Sequence, residues 1–321
     1  MTRGGCQENS RAVKPRRRRY LRSTAIAAAL AVVGISVVIF DVHANRGPSI
    51  QAQAADHQDG DSLAAGNGTT EAAPPLDPAM PVGDLPGWKQ VFTDDFTSGD
   101  VPVGSFPGDA YKAKWSANYA DGTPDTSAQI QGTNSGYYPS KVLSVKDGML
   151  DMYLHSENGT AMGAAPAPVI PGINPNRPNS LLYGRYSVRF RTDPGLQGFK
   201  IAWLLWPDSG IWPRDGEIDY PEGYLTDTFY GAAHPEGPGP YISDVISSGA
   251  TFTSWHIATL EWSPGRVEFF LDGHSIGVST NSIPSTPMHY ILQTESCLKG
   301  CPAPGVSGHV YVDWVAIWAK E

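Results

Sequence analysis

The sequence predicts an all-β fold, a sandwich of two antiparallel sheets. Short runs of alternating apolar and polar residues recur along the chain, and turn residues separate them. The 321 residues include 35 glycines and 28 prolines, and no long amphipathic helical pattern is evident. We therefore expect many short strands joined by turns, with little helix.

Individual segments support this fold class in chain order. The segment "VLSVKDGMLDMYLHS" predicts a hairpin that turns at Lys146–Gly148, and "YGRYSVRFRT" predicts a strand with its apolar residues on one face. The segment "WHIATLEWSPGRVEFFLDGHSIGVS" predicts two successive hairpins, with turns at Ser263–Gly265 and Asp272–Gly273. The segment "HVYVDWVAIW" predicts a last strand, and no internal repeat is apparent.

Residues 1–44 are predicted to be an export signal or a membrane anchor. A basic cluster, Lys14–Arg22, precedes an apolar run, Ser23–Phe40, and a small-residue cleavage site, Val42–Ala44, follows it. The apolar run is also long enough to cross a bilayer, so an uncleaved anchor is the alternative. Arg17–Arg22 fits a twin-arginine export signal and equally a generic basic segment. Whether the segment is a cleaved export signal or an uncleaved anchor, the rest of the chain would lie outside the cytoplasm.

The remaining chain divides into a linker and a folded domain. Residues 45–86 contain almost no large apolar side chains, which predicts a flexible linker. Residues 87–321 begin where aromatic and β-branched residues appear, and they are long enough for one domain. Cys297 and Cys301 are the two cysteines of this domain, and their spacing in an exported protein predicts a disulfide.

Charge restricts the binding partners. After the first 22 residues, the chain keeps 15 basic and 31 acidic side chains, a formal charge of −16. This charge disfavours nucleic acid, whose phosphates require basic surfaces. A neutral ligand is the better expectation.

Three carboxylates lie unusually close together in "WPRDGEIDYPEG", residues 212–223. In a strand, Glu217 and Asp219 share one face, and Glu222 would face the other way. One extra residue in a bulge returns Glu222 to the first face, and Pro221 is typical of such an irregularity. The sequence therefore predicts a β-bulge that gathers three acidic groups on one surface.

This arrangement suits acid–base chemistry on a glycosidic bond. If the side chains of Glu217 and Glu222 lean toward each other, their carboxyl groups approach to roughly 5 Å, the separation typical of retaining glycoside hydrolysis. Three like charges in a cleft also favour retention of a proton near neutral pH. The alternative is a solvated acidic strand without chemistry, or one that binds Ca²⁺. Neighbouring tryptophans favour the first interpretation, since sugar rings stack on indoles.

With these residues in view, the chain resembles glycoside hydrolase family 16, in particular its laminarinase-like branch. The resemblance spans about Trp88–Lys320 and rests on "VFTDDF", "YGRYSVRFR", "AWLLWPDSGIWPRDGEIDYPEG", the histidine of "GAAHPEG", "WHIATLEWSPGRVEFFLDG" and "VYVDWVAIW". It implies a concanavalin-like jelly roll with a concave substrate cleft. The likeness also implies that residues 87–321 form a catalytic domain.

The resemblance assigns roles to individual residues. Glu217 would be the nucleophile, Glu222 the acid/base and Asp219 the assisting carboxylate. The expected substrate-binding residues are Trp212, Trp203, His234 and Gln293. His234 also has an ordinary structural alternative, a histidine satisfied within the sheet. Catalysis would require no cofactor.

Some segments depart from the family pattern. Residues 200–203, Lys-Ile-Ala-Trp, stand where Pro-Ala-x-Trp is common, Ser187 replaces a usual glutamate, and the cysteine-containing segment replaces a Gly-Gly stretch. These changes leave the identity of the glycan open. Many relatives bind one structural Ca²⁺, and here Asp95 and Asp313 occupy the corresponding places, although both could be ordinary surface carboxylates.

The predicted function is retaining endo-hydrolysis of a neutral β-linked polysaccharide, foremost β-1,3-glucan, by a monomeric exported enzyme. Mixed-linkage glucan and galactans are the next substrates. A transglycosylase that remodels cell-wall glucan would share the covalent intermediate. A lectin on the same fold, without turnover, is the alternative from another functional class.

Overall fold

The computed structural model describes Met1 and residues 78–170 and 179–321. The predicted export signal or anchor, its cleavage site and most of the predicted linker lie outside the described residues. Within the described ranges, no helix has both the length and the apolar character needed to cross a membrane. The helices that are described have four to six residues each, as expected from a sequence with little helical pattern.

Residues 78–170 contain short strands and helices. Their bounds are β1 (Trp88–Asp94), α1 (Gly108–Tyr111), β2 (Trp115–Ser116), β3 (Thr123–Pro124), α2 (Thr126–Gln131), β4 (Ser135–Tyr137), α3 (Pro139–Val142), β5 (Leu143–Lys146), β6 (Met149–Glu157), β7 (Thr160–Gly163) and β8 (Ala167–Pro168).

Residues 179–321 contain mostly longer strands. Their bounds are β9 (Ser180–Leu181), β10 (Gly184–Thr192), β11 (Phe199–Pro207), β12 (Glu217–Tyr224), β13 (Thr228–His234), β14 (Asp244–Thr251), β15 (His256–Ser263), β16 (Arg266–Leu271), β17 (His274–Ser279), β18 (Met288–Ser296) and β19 (Gly308–Lys320).

The strands form a jelly-roll sandwich of two large sheets. The larger sheet has the order β17-β16-β15-β10-β19-β6-β7-β4-β3, with β1 also paired to β19 and β5 to β6. The smaller sheet has the order β14-β13-β12-β11-β18-β9, and β2 pairs with β8 separately. Among the described strands, β4 and β7 form a parallel pair in an otherwise antiparallel pattern. The predicted fold class is confirmed.

The core lies between the two large sheets and forms because strand residues alternate in direction. Along β11, Ile201, Trp203 and Leu205 are fully buried in this core. Phe190, on β10 of the other sheet, meets the Trp203 ring edge-on, with 5.2 Å between ring centroids. The residues between these core positions on β11 therefore point away from the core, to the outer face of the smaller sheet.

Two predicted hairpin turns have the backbone that their sequence requires. Lys146 pairs with Met149, which leaves Asp147 and Gly148 as a two-residue turn with φ values of 53° and 71°. The turn at Asp272 and Gly273 has φ values of 48° and 82°. Positive φ at both positions matches the twist of the flanking strands, and Asp-Gly tolerates it. Both predictions are confirmed.

The folded structure begins before the predicted boundary at residue 87. Residues 78–86, the N-terminal strap, pack on the outer face of the larger sheet. The indole N–H of Trp314 donates to the carbonyl of Pro78, and that of Trp318 donates to the carbonyl of Gly83, each at 2.9 Å. Met80 and Leu85 add apolar contacts to the same cluster. The linker boundary was wrong because composition alone does not reveal these contacts.

A disulfide links Cys297 and Cys301, as predicted. It follows β18 directly and closes a short loop in which Lys299 and Gly300 are exposed. The ammonium group of Lys299 lies 4.7 Å from the centre of the Tyr224 ring. The disulfide loop thus lies beside the end of β12.

Candidate active site

A β-bulge in β12 brings the three carboxylates to one face. On one side, Asp219 and Glu222 pair with Ala232 and Tyr230 of β13, so three steps along β12 match two along β13. On the other side, the same two residues pair with Leu204 and Ala202 of β11, again with one extra residue in β12. The irregularity includes Pro221, as the sequence predicted. The bulge keeps Glu222 on the same face as Asp219.

The opposite face of β12 belongs to the core. Ile218 is 0% and Tyr220 1% exposed, and both join the main apolar cluster. Glu217, Asp219 and Glu222 therefore lie on the outer face of the smaller sheet, which we call the site face. Ala202, Leu204 and Ile291 form an apolar floor on this face.

Gly216 controls the entry of the chain into β12. Its φ is 69°, and a Cβ atom there would lie 2.6 Å from Pro284 Cγ and 2.7 Å from the His234 carbonyl oxygen. Any other residue would therefore meet both backbone strain and a steric clash. Gly216 allows Glu217 to start the strand directly beside His234, its partner in the β12–β13 register.

Glu217, Asp219 and His234 form a tight cluster. One side-chain oxygen or nitrogen from each lies within 4.8 Å of the others. His234 Nε2 is 3.1 Å from Asp219 Oδ2, and His234 Nδ1 is 2.6 Å from Ser243 Oγ. By spacing alone this cluster could hold a cation, but the histidine already faces the aspartate as its partner. We interpret it as an acid–base cluster.

Burial and mutual repulsion set the proton affinity of this cluster. Burial, followed by the charge of Asp219, raises the pKa of Glu217 well above its usual range. Burial and the charge of Glu222 also raise the pKa of Asp219. For His234, burial would lower the pKa, but the hydrogen bond to Asp219 and the nearby carboxylates raise it to about 9. The cluster therefore retains protons near neutral pH.

Glu222 has a different neighbour. Lys200 Nζ lies 2.7 Å from Glu222 Oε1, and the two side chains are 15% and 11% exposed. Burial would lower the pKa of Lys200, but the charges of Glu222 and Glu295 raise it well above its usual range. Lys200 thus stays an ammonium ion beside Glu222.

The structure places Trp212 near the Glu217 cluster. Its ring meets that of His234 edge-on, with 6.5 Å between ring centroids, and it is partly exposed. Gln293 lies opposite Ala202 on β18 and accepts a 2.8 Å hydrogen bond from the Tyr137 hydroxyl. Both residues are therefore on or beside the site face, and their contact with substrate stays a prediction.

Trp203 does not lie where the sequence interpretation placed it. It is 0% exposed and packs in the core against Phe190, so its ring cannot stack on a ligand at the site face. The reason is strand parity, because odd-numbered residues of β11 face the core. Trp206, which is partly exposed and packs beside the apolar floor, is the tryptophan of β11 on the site face.

Other site residues were missed by the sequence interpretation. Tyr119 and Tyr137 stack with 4.7 Å between ring centroids and pack against the apolar floor. They come from a part of the chain without recognisable pattern, so no sequence signal indicated them. Lys200 and Trp206 could have been found, since the alternation along β11 puts both on the face of Ala202.

The residues suggested for calcium do not form a recognisable ligand set. Asp95 accepts hydrogen bonds from the backbone N–H and the hydroxyl of Thr97. Asp313 pairs with Arg189 at 2.5 Å, which neutralises its charge. Ca²⁺ needs six to eight oxygen ligands, and among the described residues neither aspartate joins a group of three metal-ligating side chains. The calcium site stays a sequence prediction without support from this geometry.

The chain is similar to a known family and to known proteins. Residues 171–316 match the family model described as "Glycosyl hydrolases family 16". This range includes Glu217, Asp219, Glu222 and Lys200, together with the whole of the smaller sheet. The acidic cluster and its Lys200 neighbour therefore lie within the matched region, and Tyr119 and Tyr137 lie outside it.

Two curated proteins and one solved structure illustrate the similarity. A "Beta-glucanase" of Rhodothermus marinus is 31% identical over 104 residues, which are 29% of this chain and 36% of that protein. A "Glucan endo-1,3-beta-glucosidase" of Cryptopygus antarcticus is 30% identical over 101 residues, 28% of this chain and 37% of that protein. The matched segment spans little more than a third of these relatives.

The solved structure is that of "SCLam, a non-specific endo-beta-1,3(4)-glucanase from family GH16". It superposes with a TM-score of 0.56 at 19% identity, covering 75% of this chain and 95% of that chain. At this identity, the similarity establishes a shared fold.

Proposed function

We propose that this chain, which carries a glycosyl hydrolase family 16 domain, is a retaining endo-glycoside hydrolase that cleaves β-1,3-glucan. The observation that carries the proposal is the bulge that puts Glu217 and Glu222 on one face, with Asp219 between them. Two carboxyl groups flanking one bond are the requirement of this reaction.

In the first step, the Glu217 carboxylate attacks the anomeric carbon of the bound sugar. The bond from that carbon to the glycosidic oxygen breaks, and Glu222 gives its proton to the departing oxygen. The products are a glycosyl ester on Glu217 and the polysaccharide fragment on the reducing-end side of the cleaved bond, which leaves as an alcohol. Glu222 is left as a carboxylate.

In the second step, water attacks the same carbon and releases Glu217. The Glu222 carboxylate takes a proton from this water as it attacks, so the enzyme returns to its starting protonation state. Two inversions at one carbon give net retention of the β configuration. His234, 3.1 Å from Asp219, lies in the same cluster, and its charge favours the ionised form of Glu217.

The site face supports a neutral substrate. Its floor consists of Ala202, Leu204 and Ile291, and partly exposed Trp206 and Tyr119 pack beside it. Apolar and aromatic surfaces of this kind suit the faces of uncharged sugar rings. The names of the relatives, a β-glucanase, a glucan endo-1,3-β-glucosidase and an endo-β-1,3(4)-glucanase, support glucan as the polymer.

We also propose that the domain acts after export, as a monomer. The basic and apolar N-terminal segments support export, and the Cys297–Cys301 disulfide suits an oxidising compartment. Localisation of the full chain by cell fractionation would test this.

The test is a panel assay with laminarin, lichenan, agarose and carrageenan, followed by NMR of the first product. We expect new reducing ends from laminarin and an initial product in the β configuration. An initial α product would contradict the retaining mechanism. Binding without any release of reducing ends would indicate a lectin, and longer oligosaccharides at high substrate concentration would indicate a transglycosylase.

A further inference from the structure

A hydrogen-bonded pair, Tyr137 and Gln293, lies at the site face two strands away from Glu222. Ala202 of β11 pairs with Glu222 of β12 on one side and with Gln293 of β18 on the other, so the three residues form one row across the sheet. Neighbouring strands lie about 4.8 Å apart, which puts Gln293 roughly 10 Å from Glu222. The pair is therefore too far from the cleaved bond to take part in the chemistry, but it lies on the same surface.

The positions of the two glutamates along β12 determine the path of a bound glycan. In the proposed reaction they flank one glycosidic bond, so the glycan passes between Glu217 and Glu222 and crosses β12 instead of following it. The residue between them, Asp219, pairs with Leu204 of β11. A glycan that continues over Leu204 next reaches β18, where it passes beside Gln293. Gln293 is therefore placed to contact a sugar unit away from the cleaved bond.

The hydrogen bond within the pair fixes the direction of the Gln293 amide. The hydroxyl of Tyr137 donates to Oε1 of Gln293 at 2.8 Å. Tyr137 is 3% exposed, and burial raises the pKa of its phenol well above the usual range, so the hydroxyl stays a donor. The amide nitrogen of Gln293 carries two further donors, and this side chain is partly exposed. Among the described residues, this nitrogen has no hydrogen-bond partner.

Close packing of β7 on β18 holds Tyr137 in this position. Tyr137 of β4 pairs with Gly163 of β7, and a Cβ atom on Gly163 would lie 2.3 Å from the carbonyl oxygen of Thr294. The glycine therefore permits an approach to β18 that a larger residue would prevent. The ring of Tyr119 also stacks on that of Tyr137, with 4.7 Å between ring centroids and 11° between the ring planes. The phenol thus reaches Gln293 from a rigid support.

We propose that Tyr137 is a positioning residue that fixes the Gln293 amide with its nitrogen toward the bound glycan, where the nitrogen donates to a hydroxyl oxygen of a sugar unit away from the cleaved bond. This inference deepens the proposed function and rests on it. An amide that is already fixed loses less conformational freedom on binding than a mobile one. Tyr137 lies outside the residues that match the family model, so a segment beyond the matched region tunes the affinity of the site.

The kinetic test uses Tyr137→Phe in the full chain, which removes the hydroxyl and keeps the ring. Loss of one hydrogen bond should raise KM for laminarin about 2- to 10-fold. The value of kcat should stay nearly unchanged, because the contact is the same in the ground state and the transition state. Gln293→Ala should raise KM at least as much, and Tyr137→Phe should add nothing in the Gln293→Ala background. An unchanged KM in Tyr137→Phe, or additive effects of the two changes, would overturn the proposal.

Tyr111→Phe is the matched control for a purely structural effect. The Tyr111 hydroxyl donates to the carbonyl of Phe96 at 2.7 Å, and its ring belongs to the main core and not to the apolar floor of the site face. This variant also loses a buried hydrogen bond, so its melting temperature should fall, while its KM for laminarin should stay at the wild-type value. An equal rise of KM in Tyr111→Phe and Tyr137→Phe would contradict a positioning role.

NMR of the Gln293 side-chain amide, labelled with ¹⁵N, gives a readout that does not depend on turnover. The signal is assigned by its loss in Gln293→Ala. In Glu217→Ser, added laminari-oligosaccharide should shift this signal, and Tyr137→Phe should weaken the binding about 2- to 10-fold by calorimetry. Absence of a shift would overturn the proposal, and this test stands even if Tyr137→Phe does not fold. A wild-type protein that binds the oligosaccharide and cleaves no glycan contradicts the proposed function, while the amide signal still decides the role of the pair.

Discussion

The two ends of β12 hold chemically identical side chains in opposite surroundings. Glu217 lies beside Asp219 and His234, in a cluster that retains protons. Glu222 lies beside Lys200, a cation in direct contact. Both glutamates belong to one acidic motif, so their different surroundings come from the neighbouring strands. His234 of β13 lies near Glu217, and Lys200 of β11 contacts Glu222. Neighbouring strands, and not the motif alone, assign the two glutamates their electrostatic roles.

The largest expected effect is the loss of activity when either glutamate is replaced, and the two replacements should differ in how they respond to the substrate's leaving group. Glu217→Ser should abolish hydrolysis of every substrate, because no covalent intermediate can form. Glu222→Gln should lower kcat on laminarin by about 10²–10⁴-fold, the usual contribution of proton transfer. With an aryl β-glucoside oligomer whose phenol leaves without a proton, Glu222→Gln should still release the phenol in a burst.

Circular dichroism and thermal melting of both variants would show that each is folded. A Glu217→Ser variant that keeps wild-type turnover, or a Glu222→Gln variant that shows no burst with the activated substrate, would contradict the assignment.

A smaller effect concerns stability at the Glu217 end. The pKa of His234 in the folded protein, about 9, lies above its ordinary value of 6.5. Its contribution to the free energy of unfolding is therefore fully present below pH 6.5 and is lost as the pH rises through 9. The loss is on the order of 3 kcal/mol, since one pKa unit corresponds to about 1.4 kcal/mol.

Urea unfolding at pH 6.5 and at pH 9.5 would measure this loss. His234→Asn should reduce the difference between the two pH values, and Lys200→Arg, a change on β11 beside Glu222, should leave it intact. An equal difference in wild type and His234→Asn would show that other groups cause the pH dependence.

The smallest expected effect tests which tryptophan of β11 contacts the ligand. Trp206→Ala should raise KM for laminarin by about 2- to 10-fold, the equivalent of 0.5–1.5 kcal/mol for one aromatic contact. Trp206→Phe keeps an aromatic face and should keep most of the affinity. Steady-state kinetics of these variants would decide, and an unchanged KM in Trp206→Ala would remove Trp206 from the binding surface.

The sequence was sufficient where local patterns decide the structure. Strand alternation, Asp-Gly turns and the position of Pro221 predicted the sandwich, two hairpins and the bulge, and cysteine spacing predicted the disulfide. It was insufficient where contacts join distant parts of the chain. Nothing near Pro78 indicates that its carbonyl accepts from Trp314, and nothing near Tyr137 indicates that it reaches Gln293.

Trp203 shows a different limit of the sequence interpretation, which is the assignment of a residue by its likeness to a family pattern. A tryptophan next to the acidic motif was interpreted as part of the site because of its likeness to the family pattern. The alternation along β11 assigns it to the core and assigns Lys200 and Trp206 to the site face. Applying strand parity to every residue of β11 would have corrected the first assignment and predicted the neighbour of Glu222.

The bulge at Pro221 ties this site to the match between chain length and strand alternation. A chain of unchanged length without the bulge would turn Glu222 into the interior, whereas loss of one residue together with the bulge would leave the glutamate at the regular spacing that returns it to the site face. Libraries of single amino-acid exchanges cannot separate these two cases, because they leave the chain length unchanged. A library of single-residue deletions and insertions along β12 would separate them.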